Sequence, residues 1–346
     1  MKKMKVAVMT GLNKIEFQER IVPEPKRDEV LVKLEAVGIC GSDMHYYETG
    51  RIGDYVVTTP FVLGHECAGI VVKTGEDVKH LKEGDRVALE PGKTCKTCSS
   101  CRQGLYNLCP DVVFFATPPY DGVFQEYVAH EADLCFKLPD NVTAEEGALV
   151  EPLAIGFHAA NKGKAQVGQT AVVFGAGCIG LVSVLALKAR GVTQVFIVDS
   201  MDKRLSKAIE SGANVAINFK KENVVEKIMA LTEGAGVDLV IETSGSEIAA
   251  NQSIEICSNG ATIVFVGYSH SGKMNLDMSN AINKELSFES IFRYRHIYPM
   301  TIQAIAAGNV NVKNLVSHTF DFDKLPEAMD QCINSKDEIV KAVVKM

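Results

Sequence analysis

The sequence lacks any long apolar run. No segment approaches the roughly 18 apolar residues of a membrane-spanning helix. Residues 1–5 carry the positive charge of a signal peptide, but the apolar run at 6–9 is too short to be the core of one. Internal repeats and low-complexity tracts are also missing. We therefore expect a cytoplasmic protein with no membrane partner.

Positive charge is not in excess either. The 346 residues include 36 Lys and Arg against 43 Asp and Glu, a net charge of −7. Nucleic-acid binding requires a basic surface that neutralises phosphates, so this balance argues against a nucleic-acid partner and leaves a small molecule. A content of 47% hydrophobic and 23% charged residues excludes global disorder, and the length is typical of two domains.

The two halves of the sequence differ in their patterns. Short apolar runs in the first half, such as 30–32, 70–72 and 86–89, are separated by Gly, Pro and charged residues and predict a β-rich domain. After Pro152, strand-like runs alternate with helix-like segments, which is typical of an α/β fold with a doubly wound parallel sheet. Six strands are predicted, at 171–174, 195–198, 215–217, 238–241, 262–266 and 286–289.

Helix-like segments at 178–190 and 224–232 lie between these strands. The alternation stops after Ser290. The remaining tail contains a helix-like stretch at 300–307 and a strand-like stretch at 339–344. From its pattern alone, this tail either forms a separate cap or joins the domain formed by the first half of the chain.

A glycine motif follows the first predicted strand of the second half. Gly175, Gly177 and Gly180 form a G-x-G-x-x-G that opens a helix-like segment, the context typical of a dinucleotide site. In that motif the glycines allow a tight turn, close approach of the pyrophosphate and helix packing. Asp199 ends the next strand, where an acid binds ribose hydroxyls and repels a 2′-phosphate. NAD is therefore favoured over NADP, although Arg204 lies close.

Four of the ten cysteines are clustered. Four thiolates in one loop suit a tetrahedral zinc ion with no open position, which is a structural site. An iron–sulfur cluster is the rival interpretation, and a pair of disulfides is disfavoured in a reducing compartment. The clustered residues are Cys95, Cys98, Cys101 and Cys109.

Other metal-ligand residues lie upstream. His65 and Glu66 are adjacent, and Cys40 precedes a short polar segment. A catalytic zinc takes about three protein ligands and keeps a fourth position open. Each residue alone is more often structural. Cys67 is interpreted as a packing residue, although its position beside Glu66 leaves its exclusion as a ligand to the geometry.

Longer stretches carry a family resemblance that covers essentially the whole chain. The sequence resembles the zinc-dependent medium-chain alcohol dehydrogenases, and within them the polyol branch of sorbitol (L-iditol) dehydrogenases. The matching motifs lie at 40–45, 45–53, 64–78, 95–109, 114–119, 138–143, 145–152 and 292–294.

The resemblance implies a split arrangement of two domains. Residues 1–153 and 294–346 would form a GroES-like catalytic domain, so the tail would return to the first half. Residues 154–293 would form a Rossmann NAD-binding domain with a six-stranded parallel sheet. The resemblance also implies a homotetramer or dimer, of which the tetramer is our expectation.

The resemblance further implies the cofactors, two zinc ions and NAD. Cys40, His65 and Glu66 would hold the catalytic zinc, and the four clustered cysteines the structural one. Glu151 occupies the position of a second cysteine ligand in ordinary alcohol dehydrogenases and would approach the metal directly or through water. The cofactor-binding residues would be Gly175, Gly177, Ile179, Gly180, Asp199, Arg204, Val266 and Phe292.

The implied reaction is oxidation of a secondary alcohol of a polyol to a ketose, with hydride transfer to NAD. Ser42 and His45 would relay the proton outward, together with Glu151 as a catalytic residue, and Asp43 would be a hydrogen-bond acceptor for His65. Substrate-binding residues would be Tyr46, Phe115, Glu151, Arg293 and Tyr294.

The same reaction on a different substrate stays an alternative: L-arabinitol, 2,3-butanediol, L-threonine or a polyol phosphate. A different class, a non-catalytic NAD-binding redox sensor, also stays open.

Overall fold

A computed structural model describes residues 1–269 and 271–346. By contacts, the chain divides into two units. Unit one comprises Met1–Glu151, Tyr298–Ala306 and Val316–Met346, and unit two comprises Pro152–Ile297 and Ala307–Leu315. Residues 152–153, 294–297 and 307–315 thus group with unit two and not with the first half as expected. For 307–315 the reason is a short 3-10 helix that contacts two helices of unit two.

The strands follow one another as β1 (Lys3–Gly11), β2 (Lys14–Ile21), β3 (Glu29–Ile39), β4 (Arg51–Ile52), β5 (Tyr55–Val56), β6 (Glu66–Thr74), β7 (Arg86–Leu89), β8 (Gly92–Lys93), β9 (Val113–Phe114), β10 (Tyr127–Glu131), β11 (Cys135–Lys137), β12 (Thr170–Phe174), β13 (Gln194–Asp199), β14 (Val215–Asn218), β15 (Val237–Glu242), β16 (Cys257–Phe265), β17 (Ser287–Ser290), β18 (His318–Asp321) and β19 (Ala342–Lys345).

The helices are α1 (Gly41–Thr49), α2 (Ser99–Arg102), α3 (Ala144–Ala148), α4 (Val150–Lys162), α5 (Cys178–Ala189), α6 (Asp202–Glu210), α7 (Val224–Leu231), α8 (Glu247–Ile256), α9 (Met278–Asn283), α10 (Tyr298–Ala306) and α11 (Leu325–Asn334). Short 3-10 helices span Tyr106–Leu108, Ala132–Leu134, Val312–Leu315 and Phe322–Lys324. Among the described residues, every helix is too short or too polar to cross a membrane.

Unit one is built around a seven-stranded sheet. Its order is β11-β7-β6-β3-β19-β18, with β10 also paired to β3. The long strand β3 is the centre, because its residues face an apolar cluster that includes Val30, Val32 and Leu34, each almost fully buried. Strand β19 pairs antiparallel with β3, so the tail does return to the first-half sheet.

Unit two holds a six-stranded sheet of order β14-β13-β12-β15-β16-β17, with every pair parallel. The six predicted strands are all present. They could be found because a parallel sheet covered by helices on both faces requires nearly continuous apolar strands. The order reverses at β12, and ligands of such sheets bind beyond the carboxyl ends of the strands at that point.

Candidate functional site

Two strands of unit one bring three metal-ligand residues to one point. Strand β3 ends at Ile39, and Cys40 follows it, whereas β6 begins at Glu66 and His65 precedes it. The two strands are antiparallel with Gly38 opposite Glu66, so the end of one lies beside the start of the other. One ligand atom from each of Cys40, His65 and Glu66 lies within 4.8 Å of the others.

Gly38 makes room for this convergence. A Cβ at this position would collide with the Oε2 atom of Glu66. Any larger residue would push the carboxylate away from Cys40 and His65. The glycine is therefore required for close approach, not for an unusual backbone angle.

Asp43 ties the two ligand segments together. It lies fully buried on α1, and its carboxylate accepts the backbone N–H of Cys40 at 3.0 Å and of Gly64 at 2.9 Å. Burial would raise the pKa of Asp43, but the facing His65 ring and these two donors lower it below its ordinary value. The Oδ1 atom lies 3.7 Å from Nδ1 of His65, longer than a direct hydrogen bond.

The site attracts positive charge. Burial by itself would lower the pKa of His65, but the negative charges of Asp43 and Cys40 outweigh burial and raise it well above 6.5. A pocket that stabilises a proton on a buried imidazole in this way also stabilises a metal cation in its place. One thiolate, one imidazole and one carboxylate form a zinc-binding set that leaves a fourth position open. The residues present therefore fit a catalytic zinc ion.

Glu151 lies outside that set. It is buried at the start of α4 and, among the described residues, is not part of the group whose ligand atoms lie within 4.8 Å of one another. It lies near Glu90. Burial is the larger cause that raises the pKa of Glu90 to about 7, and the negative charge of Glu151 adds to it. The hydroxyl of Tyr106 donates to Glu90 at 2.8 Å.

The other predicted residues of unit one differ in burial. On α1, Ser42 is half-buried, His45 is exposed and Tyr46 is buried, with its ring 6.4 Å from that of Phe61. Phe115 is half-buried and packs on the ring of His130 at 4.6 Å between centroids. Cys67 points into the apolar cluster of the sheet and is not in the ligand group.

The four clustered cysteines form a second set. Their sulfur atoms all lie within 4.8 Å of one another, with 3.5 Å between Cys95 and Cys109 and 4.0 Å between Cys95 and Cys101. A tetrahedral ion with bonds of about 2.3 Å separates its sulfur ligands by about 3.8 Å, so a single zinc fits. Pairing of β8 with β9 closes the segment that carries these cysteines.

The cysteines of this loop differ in their electrostatics: the pKa of Cys95 is lowered, whereas burial raises the pKa of the Cys109 thiol to about 11. Backbone N–H groups of Thr97 and Cys98 are the main cause that lowers the pKa of Cys95 to about 6. The N–H of Cys98 lies 3.2 Å from the Cys95 sulfur, and the N–H of Cys101 lies 3.4 Å from that of Cys98. Such donors stabilise the anionic sulfur that a zinc ion requires.

Unit two carries the glycine turn at the switch point of its sheet. Gly175 has a φ of 92°, and an added Cβ would lie 2.8 Å from the Thr243 hydroxyl. A Cβ at Gly180 would collide with the carbonyl oxygen of Gly175. Gly177 is the N-cap residue of α5, and a Cβ there would meet only the Arg204 guanidinium, so the helix N-terminus is open to a bound anion.

Asp199 supports the glycine turn by hydrogen bonds and also lines the cavity beside it. One carboxylate oxygen accepts the N–H of Ala176 at 2.7 Å, and the other accepts those of Ser200 and Met201. It also lines a cavity of about 870 Å³ together with Gly175, Arg204, Ser244 and other residues. The remaining predicted cofactor residues lie on the same unit, with Ile179 on α5, Val266 after β16 and Phe292 after β17.

Arg293 and Tyr294 also belong to unit two. Arg293 has a φ of 55°, and its guanidinium carbon lies 4.7 Å from the centre of the Phe292 ring. Tyr294 is buried.

Comparison with known proteins decides the family. The family "Alcohol dehydrogenase GroES-like domain" matches residues 26–140, and the family "Zinc-binding dehydrogenase" matches residues 178–307. A sorbitol dehydrogenase of Bacillus subtilis (strain 168) is 41% identical over 341 residues, 99% of this chain and 97% of the relative. The chain belongs to the zinc-dependent medium-chain alcohol and polyol dehydrogenases.

Further similarities agree with this membership. A sorbitol dehydrogenase of Bos taurus is 44% identical to this dehydrogenase over 326 residues, 93% of this chain and 91% of that protein. The solved structure of ECK1772, an oxidoreductase/dehydrogenase of unknown specificity from Escherichia coli, has a TM-score of 0.95 at 40% identity and covers 99% of both chains. The predicted family and α/β fold class are confirmed, and the family description supports the predicted zinc. A solved alcohol dehydrogenase structure from E. coli CFT073 that is 30% identical to this chain is complexed with NADH.

Three buried charged residues of the dehydrogenase were not predicted from the sequence as parts of these sites. Lys341 contacts Glu66, Glu90 lies near Glu151, and Glu242 accepts the N–H groups of Ser244 and Gly245. Each adjoins or interrupts an apolar strand. A charge in that position is the signal by which the sequence could have identified them.

Proposed function

We propose that this dehydrogenase oxidises a secondary hydroxyl of a polyol of the sorbitol, L-iditol or xylitol type to a ketose and transfers the hydride to NAD. The observation that carries the proposal is the convergence of Cys40, His65 and Glu66 within 4.8 Å. Three ligands of this kind leave one zinc position open for a substrate oxygen. The names of the sorbitol dehydrogenase relatives support the polyol as substrate.

The proposed cofactors supply the reactive chemistry. Zinc would polarise the substrate hydroxyl as a Lewis acid, and NAD would accept the hydride. The cysteine cluster would hold the structural zinc.

The residues of unit one would bind the substrate and move its proton. Ser42 would accept the proton, and His45, one helical turn further along α1, would carry it outward because the first side chain is half-buried and the second exposed. Glu151 and Tyr46, both buried, would bind hydroxyl groups beside the reacting one. Phe115 would form an apolar wall. In unit two, Arg293 and Tyr294 stay predicted substrate-binding residues.

A preference for polyols over simple alcohols follows from this set. Buried polar groups that pair with several hydroxyls are left without partners when the substrate lacks those hydroxyls. We therefore expect a much lower kcat/KM for ethanol or 2-propanol than for sorbitol or xylitol.

The test is NADH formation with a panel of polyols, measured before and after chelation and again after addition of zinc. We expect turnover that disappears with chelation and returns with zinc. Cys40→Ser should abolish it. Cys332→Ser, which changes a buried cysteine on α11 outside the ligand sets, is the matched control and should keep it.

Three results would contradict the proposal in different ways. Turnover on L-arabinitol, 2,3-butanediol, L-threonine or a polyol phosphate, with none on the tested polyols, would identify one of these compounds as the substrate. Tight NAD binding by zinc-loaded protein with no turnover on any alcohol would support the redox sensor. Turnover with NADP equal to that with NAD would remove the cofactor preference.

A cytoplasmic homotetramer is the assembly that we propose. Strand β17 lies at the edge of its sheet and exposes Phe288, and the helix α9 that precedes it in the chain exposes Met278 and Ile282. An exposed apolar patch beside a sheet edge favours association. Light scattering coupled to size-exclusion chromatography gives the mass, and a monomer would contradict this part of the proposal.

A further inference from the structure

Lys341 is a buried lysine in direct contact with a proposed zinc ligand. Its side chain is 2% exposed and that of Glu66 is 1% exposed. The ammonium forms an ion pair with Oε2 of Glu66 and donates to the carbonyl oxygen of Ile39 at 2.9 Å. Ile39 immediately precedes Cys40, so one ammonium group contacts both segments that supply ligands.

The sheet register explains this position. Strand β19 pairs with β3 so that Ala342 lies opposite Ile39, and β3 pairs with β6 so that Gly38 lies opposite Glu66. Val343 lies opposite Gly38 in this register, so Lys341 is two positions from the level of Glu66, and its long side chain reaches back across β3 to the carboxylate. A Cβ at Gly38 would lie 3.2 Å from Cε of Lys341 and would overlap the Glu66 carboxylate. The two side chains meet over the bare backbone of this glycine.

A gain in folding stability does not explain why a lysine is buried at this position. A buried ammonium loses its hydration, and a well-packed apolar side chain would often be as stable or more stable. The neighbouring residues Ala342, Val343 and Val344 are all buried and apolar. A charge at Lys341 is therefore best explained by what it does to Glu66.

We propose that Lys341 is a positioning residue of the catalytic zinc site. It holds Oε2 of Glu66, so that the other carboxylate oxygen is directed to the metal, and it fixes the peptide before Cys40 through the Ile39 carbonyl. It also balances the negative charge that Cys40 and Glu66 bring into a buried pocket. This inference rests on the proposed function only in placing zinc at these residues.

The test compares zinc affinity in Lys341→Met and in the wild type, by competition with a chromogenic chelator and without substrate. Loss of such a supporting partner typically costs about 10–100-fold in metal affinity, and we expect that loss at the catalytic site alone. The four-cysteine site should keep its zinc. Cobalt replacement distinguishes the two sites, because four thiolates give much stronger sulfur-to-metal charge-transfer bands than one.

Two further variants are the controls. Lys345→Met removes a lysine from β19 whose partner, Glu145, lies at the surface, and it should change neither site. Lys341→Arg keeps the charge and should recover most of the affinity. If Lys341→Met is too unstable to purify, the comparison is made in the Glu66→Gln background, where no uncompensated carboxylate is left buried. There Lys341→Met should have little further effect on metal affinity, because the partner through which it acts is gone.

Two outcomes would overturn the inference. One is wild-type zinc affinity and an unchanged cobalt spectrum in Lys341→Met. The other is an equally large loss in the Glu66→Gln background, which would show that the lysine acts through general packing. A wild-type protein that binds zinc at both sites but oxidises no polyol would refute the proposed function and leave this inference standing.

Discussion

The carboxylate of Asp43 accepts the backbone N–H of Gly64 at 2.9 Å, although the two residues lie 21 positions apart in the chain. The same carboxylate accepts the N–H of Cys40 at 3.0 Å. Asp43 therefore joins the segment before His65 to the one that carries Cys40. The ligand geometry depends on a residue that binds no metal.

Asp43→Ala should consequently lower both stability and metal affinity. The buried N–H of Gly64 and the partly buried N–H of Cys40 would lose their acceptor, at a cost of about 1–3 kcal/mol for a fully buried group. Chemical denaturation and zinc competition measure the two effects. Asp43→Asn, which keeps one acceptor oxygen, should fall between the alanine variant and the wild type. Wild-type zinc affinity in Asp43→Ala would refute this role.

Gly175→Ala should weaken NAD binding and destabilise unit two. The residue has a φ of 92°, and its new Cβ would lie 2.8 Å from the Thr243 hydroxyl. Gly84 has the same φ of 92° with no atom near a Cβ, so Gly84→Ala is the matched control for backbone strain alone. Each should lose about 1 kcal/mol or more from strain. Only Gly175→Ala should raise the Kd for NAD, measured by calorimetry, and equal Kd values would contradict the prediction.

Asp199→Ala should not convert this dehydrogenase cleanly to NADP. The carboxylate accepts the backbone N–H groups of Ala176, Ser200 and Met201, so its loss also disturbs the glycine turn. We expect a higher KM for NAD, a lower melting temperature, and no kcat/KM with NADP that reaches the wild-type value with NAD. Steady-state kinetics with both cofactors and thermal unfolding test this. A full switch at unchanged melting temperature would refute the structural role.

Stability should fall as pH rises through the titration of Glu90. Burial, with the charge of Glu151, raises its pKa from 4.5 to about 7. The folded state therefore holds a proton that the unfolded state releases near pH 4.5. The stabilisation that this group contributes is fully present below about pH 4.5 and is lost by about pH 7. The free energy of unfolding changes by about 3 kcal/mol over that range.

Glu90→Gln should remove that part of the pH dependence. Denaturation of the variant and the wild type between about pH 4 and about pH 8 measures it. Tyr106→Phe is the companion variant, because its hydroxyl stabilises the charged form of Glu90 and its loss should move the transition to higher pH. Parallel stability curves for Glu90→Gln and the wild type would show that Glu90 does not titrate in this range.

The sequence predicted unit two well because its strands are buried on both faces. Strand β16 is the exception in length, since it begins at Cys257 and not near Thr262. Asn259 and Gly260 have the composition of a turn, and the register does shift there, but pairing of Cys257 with Val237 begins the strand before them. Local propensity cannot show such an extension, because the neighbouring strand decides it.

The proposed zinc ligands are predicted from the sequence as residue types and by family resemblance, and they stay a prediction. Their convergence depends on the pairing of β3 with β6, and a shift of that register by one residue would turn Glu66 to the other face. The charge of Lys341 beside an apolar strand marks the residue in the sequence, but its contact with Glu66 could not be predicted for the same reason. Its partner Glu66 is set by two strand registers that no local pattern specifies.

The hydrogen bond between Lys341 and Ile39 spans 302 positions of the chain. A nascent polypeptide that stops before Lys341 contains Cys40, His65 and Glu66 but lacks the strand that aligns them. With the proposed role of Lys341, tight zinc binding by these three residues would arise only in the last stages of synthesis. Early in translation the cysteine loop alone, complete by Cys109 and closed by β8 and β9, is equipped to take up zinc.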